Sequence, residues 1–180
     1  MTPYYSHAGI TIYHGDCREV LPGLDTTLLV TDPPYPNNGG HFEESIEAAR
    51  SVLSDWNGTT ALVFWSELEF PPVRIPLVAV HIWRRATSWA RPYEPIFHFE
   101  LDGRKRRSEI KVAGAVFDGV FAGCHQFLGH PTQKNEFVMK WMLAKIPASE
   151  HPIVDPFMGV GTTIEAAKKQ GRRAIGIEIE

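Results

Sequence analysis

Two apolar runs in this chain stop at polar, conformationally specialised turns, and that pairing narrows the folds open to it. Thr27–Val30 leads into Asp32-Pro33-Pro34-Tyr35, and Ile153-Val154 leads into Asp155-Pro156-Phe157-Met158-Gly159-Val160-Gly161-Thr162-Thr163. Short apolar runs rich in β-branched residues and closed by Pro or Gly read as buried strands. Open α/β sheets place their ligand crevice beyond the carboxyl ends of such strands. The first turn offers a carboxylate, two stiff prolines and a ring to a flat polar substrate. The second offers backbone that a cofactor can approach closely.

A chain of 180 residues buries one proper core and is short for two, so a single compact domain over 1–180 is expected. With 43% hydrophobic and 22% charged residues and a formal net charge of -3, it is neither a disordered tail nor a wholly basic coat protein. No apolar run approaches a membrane span, and the N-terminus lacks the charged-then-apolar order of a secretory signal. Cys17 and Cys124 stand alone, which fits a reducing, cytoplasmic setting and gives no Cys-pair zinc site. His130 has no second histidine or acid at ligand spacing, so no metal is expected. Charge is uneven: positions 84–111 carry eight basic residues against four acidic ones, net +4. Arg84, Arg85, Arg91 and the run Arg104-Lys105-Arg106-Arg107 suit phosphate contacts, although a solvated loop has the same composition.

The pattern predicts strands at Gly9–His14, Thr27–Thr31, Thr60–Trp65, Ile75–Trp83, Ile96–Glu100 and Arg173–Ile179. It predicts helices around Cys17–Leu21, Phe42–Ser54, Asn135–Ile146 and Thr162–Gln170. Pro76 belongs at the start of its strand, and Pro147 ends the third helix. Leu101–Phe127 has no clean period and reads as loops with room for a short hairpin. The closing unit is strand, glycine turn, helix, strand, the setting of a cofactor-binding turn.

Gly159 and Gly161 each remove a side chain where a ligand needs close backbone approach. Thr162 and Thr163 begin a helix whose exposed amides favour a negative group. The turn lacks the glycine pattern and lysine of a phosphate-binding P-loop. Glu178, at the tip of the next strand, can accept both hydroxyls of a ribose, or serve only as a solvent-facing acid.

Taken together, Val154–Thr163 resembles the S-adenosylmethionine-binding motif of the N4/N6 DNA amino-methyltransferases. The resemblance implies that Asp155 and Phe157 shape the pocket, that Gly159 and Gly161 lie beside the methionine portion, and that Glu178 holds the ribose. His130-Pro131-Thr132-Gln133-Lys134 resembles the family's cofactor-side segment, with Thr132 and Lys134 available to the methionine carboxylate. The family's usual proline after that lysine is Asn135 here, which is expected to loosen the start of the helix. Gly15-Asp16 resembles a short acidic motif whose Asp16 contacts the cofactor's adenine; the same residue can equally cap the first helix.

Asp32-Pro33-Pro34-Tyr35 resembles the family's catalytic tetrapeptide, and its leading aspartate resembles the adenine-N6 branch, cytosine-N4 members more often carrying serine. Asp32 can accept a hydrogen bond from an exocyclic amino group, the prolines stiffen the carbonyls beside it, and Tyr35 suits stacking on a base moved out of the duplex. The order of motifs resembles the permuted beta class. It implies a three-layer α/β, Rossmann-like methyltransferase fold with a mainly parallel mixed sheet and a short DNA-recognition insertion at about 101–127. The expected activity is methyl transfer from S-adenosylmethionine to adenine N6 in double-stranded DNA. Cytosine-N4 or RNA amino transfer, and an inactive DNA-binding remnant, remain as alternatives. The chain ends without the helix that often follows the ribose strand, and a homodimer is expected on that ground. The motifs leave the DNA recognition sequence and any restriction partner open.

Overall fold

The computed structural model describes residues 1–36, 43–66, 68–85, 93–102, 116–119 and 134–179. Its strands are β1 (Tyr5–His7), β2 (Ile10–His14), β3 (Leu28–Thr31), β4 (Thr60–Phe64), β5 (Leu77–Arg85), β6 (Tyr93–Glu100), β7 (Val116–Gly119), β8 (Ile153–Asp155) and β9 (Ala174–Glu178). Its helices are α1 (Cys17–Val20), α2 (Glu43–Asp55), α3 (Glu136–Lys145) and α4 (Thr162–Lys169). Among the described residues the strands form one sheet in the order β1-β2-β9-β8-β3-β4-β6-β5-β7.

From β2 to β4 every neighbouring pair is parallel. The antiparallel strand β6 lies between β4 and β5, and β1 pairs antiparallel with β2 at the far edge. All of β3 and β4 is buried, as expected of parallel strands covered on both faces. The connection β8–α4–β9 steps toward one edge and β3–α2–β4 toward the other. Right-handed crossovers therefore put α4 and α2 on opposite faces. With α3 packed on α4 and α1 on α2, the molecule has three layers.

The chain direction reverses its sense of winding between β8 and β3, which are hydrogen-bonded neighbours (Leu28 opposite Ile153, Leu29 opposite Val154). This is the topological switch point of an open α/β sheet, and the crevice beyond its strand ends is where such folds bind ligands.

Two segments depart from the sequence reading. The strand β1 was not foreseen; three exposed residues without apolar alternation carry no strand signal. Within the presumed loops of 101–127, Val116–Gly119 forms β7, parallel to β5 rather than one arm of a hairpin. The rest of that insertion beyond Asp102, with Arg104–Arg107, lies outside the described residues, as do Arg91 and Cys124.

Asn135 also departs from expectation. Its side chain accepts a hydrogen bond from Phe137 N at 2.8 Å and caps α3. Asparagine is among the best capping residues, so it secures the helix start that the missing proline was expected to loosen. At the other end of α3, the Arg172 guanidinium donates to the carbonyls of Leu143 and Ile146 at 2.7 and 3.3 Å and to that of Pro147 at 2.9 Å. Those contacts satisfy the last-turn carbonyls and tie α3 to the β9 side of the sheet.

Candidate active site

The two turns picked out in the sequence meet at the switch point. Thr31 Oγ1, the last residue of β3, donates to Asp155 Oδ1, the last residue of β8, at 2.8 Å. Asp155 is 2% exposed and also accepts from Phe157 N at 3.2 Å. Burial raises its pKa to about 6, with nearby Asp32 adding to the rise, while the hydrogen bonds from Thr163, Thr31 and Phe157 oppose it. Asp155 therefore ties the end of β3 to the turn that follows β8.

Beyond Asp155, Gly159 and Gly161 have φ of +50° and +83°, the left-handed region that only glycine adopts without strain. Among the described residues, a Cβ built on either would meet no atom beyond its chain neighbours within 4 Å, so these positions face open space there. Gly176 of β9 is glycine for a different reason: a Cβ there would strike Met158 and Ile164, so its absence lets the turn and α4 seat on the sheet. That requirement for close approach was invisible without the packing partner.

Glu178 ends β9 beside this turn. Its Oε2 accepts from Gly159 N at 2.7 Å and its Oε1 from Ile179 N at 2.9 Å. Each carboxylate oxygen keeps a second lone-pair direction, so the two amides aim the group without exhausting its acceptor capacity. Gly15 N donates to the Glu178 carbonyl at 2.9 Å, which brings Asp16 to the same sheet end. Asp16 itself caps α1, accepting from Arg18 N at 2.8 Å and pairing with the Arg18 side chain, which lowers its pKa. Phe157 is half-buried, and Thr162 and Thr163 are buried at the start of α4.

On the β3 side, Pro33 and Tyr35 are buried, and Asp32 and Pro34 half-buried. The Tyr35 ring is 5% exposed and lies against Trp65, with centroids 6.2 Å apart. Its burial follows from the indole that the end of β4 presents, against which a large ring can pack. Thr132 and the rest of His130–Gln133 lie outside the described residues.

Lys134 is buried among acidic partners. Its Nζ lies 2.7 Å from Asp32 Oδ2, 3.2 Å from Glu94 Oε2 and 4.9 Å from the centroid of the Phe64 ring. Burial alone would depress its pKa, but Asp32 and Glu94 together hold it above the ordinary lysine range. A buried ammonium settles beside carboxylates, and two of them converge here. Glu94, just ahead of the strand expected at Ile96–Glu100, is given no place in the site on sequence alone. The available signal was an acid at the head of the strand-forming run Pro95–Phe99, since a charge carried into a buried strand demands a partner.

Among the described residues no cluster of His, Cys, Asp and Glu is arranged to hold a metal, and no helix is long and apolar enough to cross a membrane.

A glycine turn and a distal acid on one side of a switch point, with an acid-proline turn on the other, define the fold class of S-adenosylmethionine-dependent methyltransferases. Solved structures share it. The chain superposes on the PvuII DNA methyltransferase (cytosine-N4-specific) with a TM-score of 0.69 at 15% identity, covering 99% of this chain and 84% of that one. The M1.HpyAVI–SAM complex gives a TM-score of 0.57 at 24% identity, covering 95% and 94%. In sequence, the type II methyltransferase M.ScaI of Streptomyces caespitosus is 26% identical over 98% of this chain and 79% of its own length. The DNA methylase family profile matches residues 73–180, and the chain belongs to that N4/N6 family of DNA methyltransferases.

Proposed function

We propose that the protein transfers a methyl group from S-adenosylmethionine to adenine N6 in duplex DNA, acting on a base flipped out of the helix. The observation that carries this reading is the placement of Asp32, held by Lys134 at the end of β3, directly across the switch point from the Asp155–Thr163 turn.

The cofactor-side residues fit such a nucleoside. Gly159 and Gly161 open their backbone to the crevice, Glu178 presents an aimed carboxylate suited to ribose hydroxyls, and Asp16 stands at the same sheet end. The α4 start, with Thr162 at its first turn, suits the methionine carboxylate. When bound, S-adenosylmethionine supplies an electrophilic methyl group on sulfonium sulfur.

Asp32 accepts a hydrogen bond from the exocyclic amino group and so directs the nitrogen lone pair toward the crevice. Pro33 and Pro34 stiffen the carbonyls that complete this cradle. Positive charge grows on the nitrogen as the new bond forms, and the carboxylate stabilises it. Asp32 acts by orientation and field, and the amino proton leaves to solvent after transfer. Cys17 is no nucleophile: burial, with Asp16 beside it, pushes its thiol up to about 11.

Adenine rather than cytosine is supported by the aspartate that opens the tetrapeptide, the residue resembling the adenine branch. The basic positions 84–111 supply phosphate contacts in this reading. The test is labelled S-adenosylmethionine with unmethylated genomic duplex DNA, and in parallel with RNA, followed by nucleoside chromatography. N6-methyldeoxyadenosine is expected. N4-methyldeoxycytidine alone, or label in RNA alone, overturns the proposed substrate, and no label in either overturns catalysis.

A further inference from the structure

We propose that the Thr31 hydroxyl is a positioning group for methyl transfer: through Asp155 it sets the separation between the turn that carries Asp32 and the turn that receives the cofactor. The inference rests on the methyl-transfer reading and deepens it.

The register of the sheet shows where such a link is needed. β3 stays paired with β4 to its last residue, Thr31 opposite Val63, and β8 stays paired with β9 to its last residue, Asp155 opposite Gly176. Between β3 and β8 the register covers Leu28 with Ile153 and Leu29 with Val154, and stops there. The inner register thus ends before the outer ones do, and a switch-point crevice begins where it ends. Past that point a side-chain bond takes over: Thr31 Oγ1 donates to Asp155 Oδ1 at 2.8 Å.

The same oxygen accepts from Phe157 N at 3.2 Å. One atom therefore joins the residue immediately before Asp32 to an amide inside the cofactor turn. Thr31 and Asp155 are 0% and 2% exposed, so solvent does not compete for the bond. Any shift of Thr31 passes through a single peptide to the backbone of Asp32.

A buried carboxylate needs donors, and satisfying Asp155 is by itself a reason for a hydroxyl at this place. Asp155 has other donors, however, in the Phe157 amide and in Thr163 at the start of α4. Both come from the cofactor's side of the crevice. Thr31 adds the link to the other side. In transfer the target nitrogen must approach the methyl carbon in line, and a misplacement on the order of 1 Å costs about 100-fold in rate. Neither substrate needs the link in order to bind at its own turn. Loss of the hydroxyl therefore acts on the transfer step and spares both affinities.

The test uses the full chain with Thr31→Val, which keeps the shape and removes the donor, and Thr31→Ser, which keeps the donor. Single-turnover transfer from labelled S-adenosylmethionine to unmethylated genomic duplex DNA is measured with both at saturation. Calorimetry of S-adenosylmethionine binding, DNA titration and thermal melts accompany it. Thr31→Val is expected to slow transfer about 30-fold, with both affinities within about threefold of native. Thr31→Ser is expected to transfer within about threefold of native. Thr31→Cys, close in volume and only a weak donor, carries the same expectation as Thr31→Val and replaces it if that variant does not fold.

A native rate in Thr31→Val, at a temperature where its melt shows it folded, overturns the proposal and leaves the hydroxyl a role in stability alone. A rate loss that saturating cofactor restores overturns it too, by moving Thr31 into the cofactor pocket. So does Thr31→Ser as slow as Thr31→Val, since the lost group would then be the methyl. Each of these outcomes leaves the native protein active. A native protein that methylates no base in this assay instead overturns the methyl-transfer reading, and the role of Thr31 with it.

Discussion

The turns after β3 and β8 leave neighbouring strand ends, which the Thr31–Asp155 hydrogen bond joins, and they are held in place by different means. The β8 turn is secured locally, by left-handed glycines and by amides converging on Glu178 from the adjoining strand. The β3 turn also has support from afar: its prolines stiffen it, and Asp32 meets Lys134, itself paired with Glu94, both of which arrive on other elements. In the proposed reading, backbone geometry matches a cofactor's shape at the β8 turn, and a charge meets other charges at the β3 turn. The two turns should therefore fail differently when damaged.

The largest effect is expected at the β3 turn. Asp32→Ala removes the acceptor that meets developing positive charge, and single-turnover transfer should fall roughly 100- to 1,000-fold. Binding of S-adenosylmethionine should stay within a few-fold, because Gly159, Gly161 and Glu178 are untouched. Transfer near the native rate would defeat the division between the turns. So would lost cofactor binding in a variant that melts normally.

The joint between the turns has its own signature in pH. Asp155 has a folded pKa near 6, raised by burial above the unfolded value of 3.8. The folded chain therefore holds the extra proton between those values. Its contribution to stability is full below about pH 4 and is lost as pH rises through 6, at a cost on the order of 3 kcal/mol. His81, between β6 and Trp141, behaves in the opposite sense: burial, then His98 and Lys145, lower its pKa to about 4. Its contribution is full above about 6.5 and is lost as pH falls toward 4. In the native chain the two slopes offset one another across this window. Asp155→Asn keeps an acceptor for Thr31 and removes the first slope, so chemical denaturation should show stability rising from pH 4 to 6.5. A flat profile in that variant would mean that His81 is not buried as described.

The same contrast governs what could be read in advance. Nearly all of the β8 unit was legible, because strand, glycines, helix and distal acid follow each other in sequence and each carries a local signal. The buried strands β3 and β4 were legible as continuous apolar runs. The partners of Asp32 were not, because a lysine before a helix and an acid in a strand reveal their pairing only once the sheet brings them together. The burial of Tyr35 was hidden for a related reason: nothing in its sequence neighbours announces that it will lie beside Trp65. Asp16, with two readings open in sequence, shows its capping role through the Arg18 contact.

At the β8 turn a smaller and complementary loss is expected. Glu178→Ala frees the amide of Gly159 and removes the acid suited to the ribose. Affinity for S-adenosylmethionine should drop about 10- to 30-fold, the equivalent of roughly 1.4–2 kcal/mol. Transfer at saturating cofactor should stay within a few-fold of native, the mirror image of Asp32→Ala. Calorimetry and single-turnover rates on the same preparation decide it. A rate loss that saturating cofactor does not restore would place Glu178 with the chemistry rather than the cofactor.

The smallest effect reaches the β3 turn from its distant support. Asn135 caps α3 one residue after Lys134, so the cap also anchors the backbone from which the lysine reaches Asp32. Asn135→Ala leaves the amide of Phe137 without its side-chain acceptor and should cost about 1 kcal/mol. For a chain of this size that lowers the melting temperature by about 2–4 °C. Asn135→Asp, which keeps the acceptor and adds charge favourable to the helix start, should preserve the native value or exceed it slightly. If the cap matters only to the helix, transfer in Asn135→Ala will match native at a temperature where both are folded. A several-fold slower rate under those conditions, with cofactor affinity unchanged, is expected instead, because a frayed first turn lets Lys134 drift from Asp32. Equal rates would detach α3 from the catalytic turn and confine Asn135 to stability.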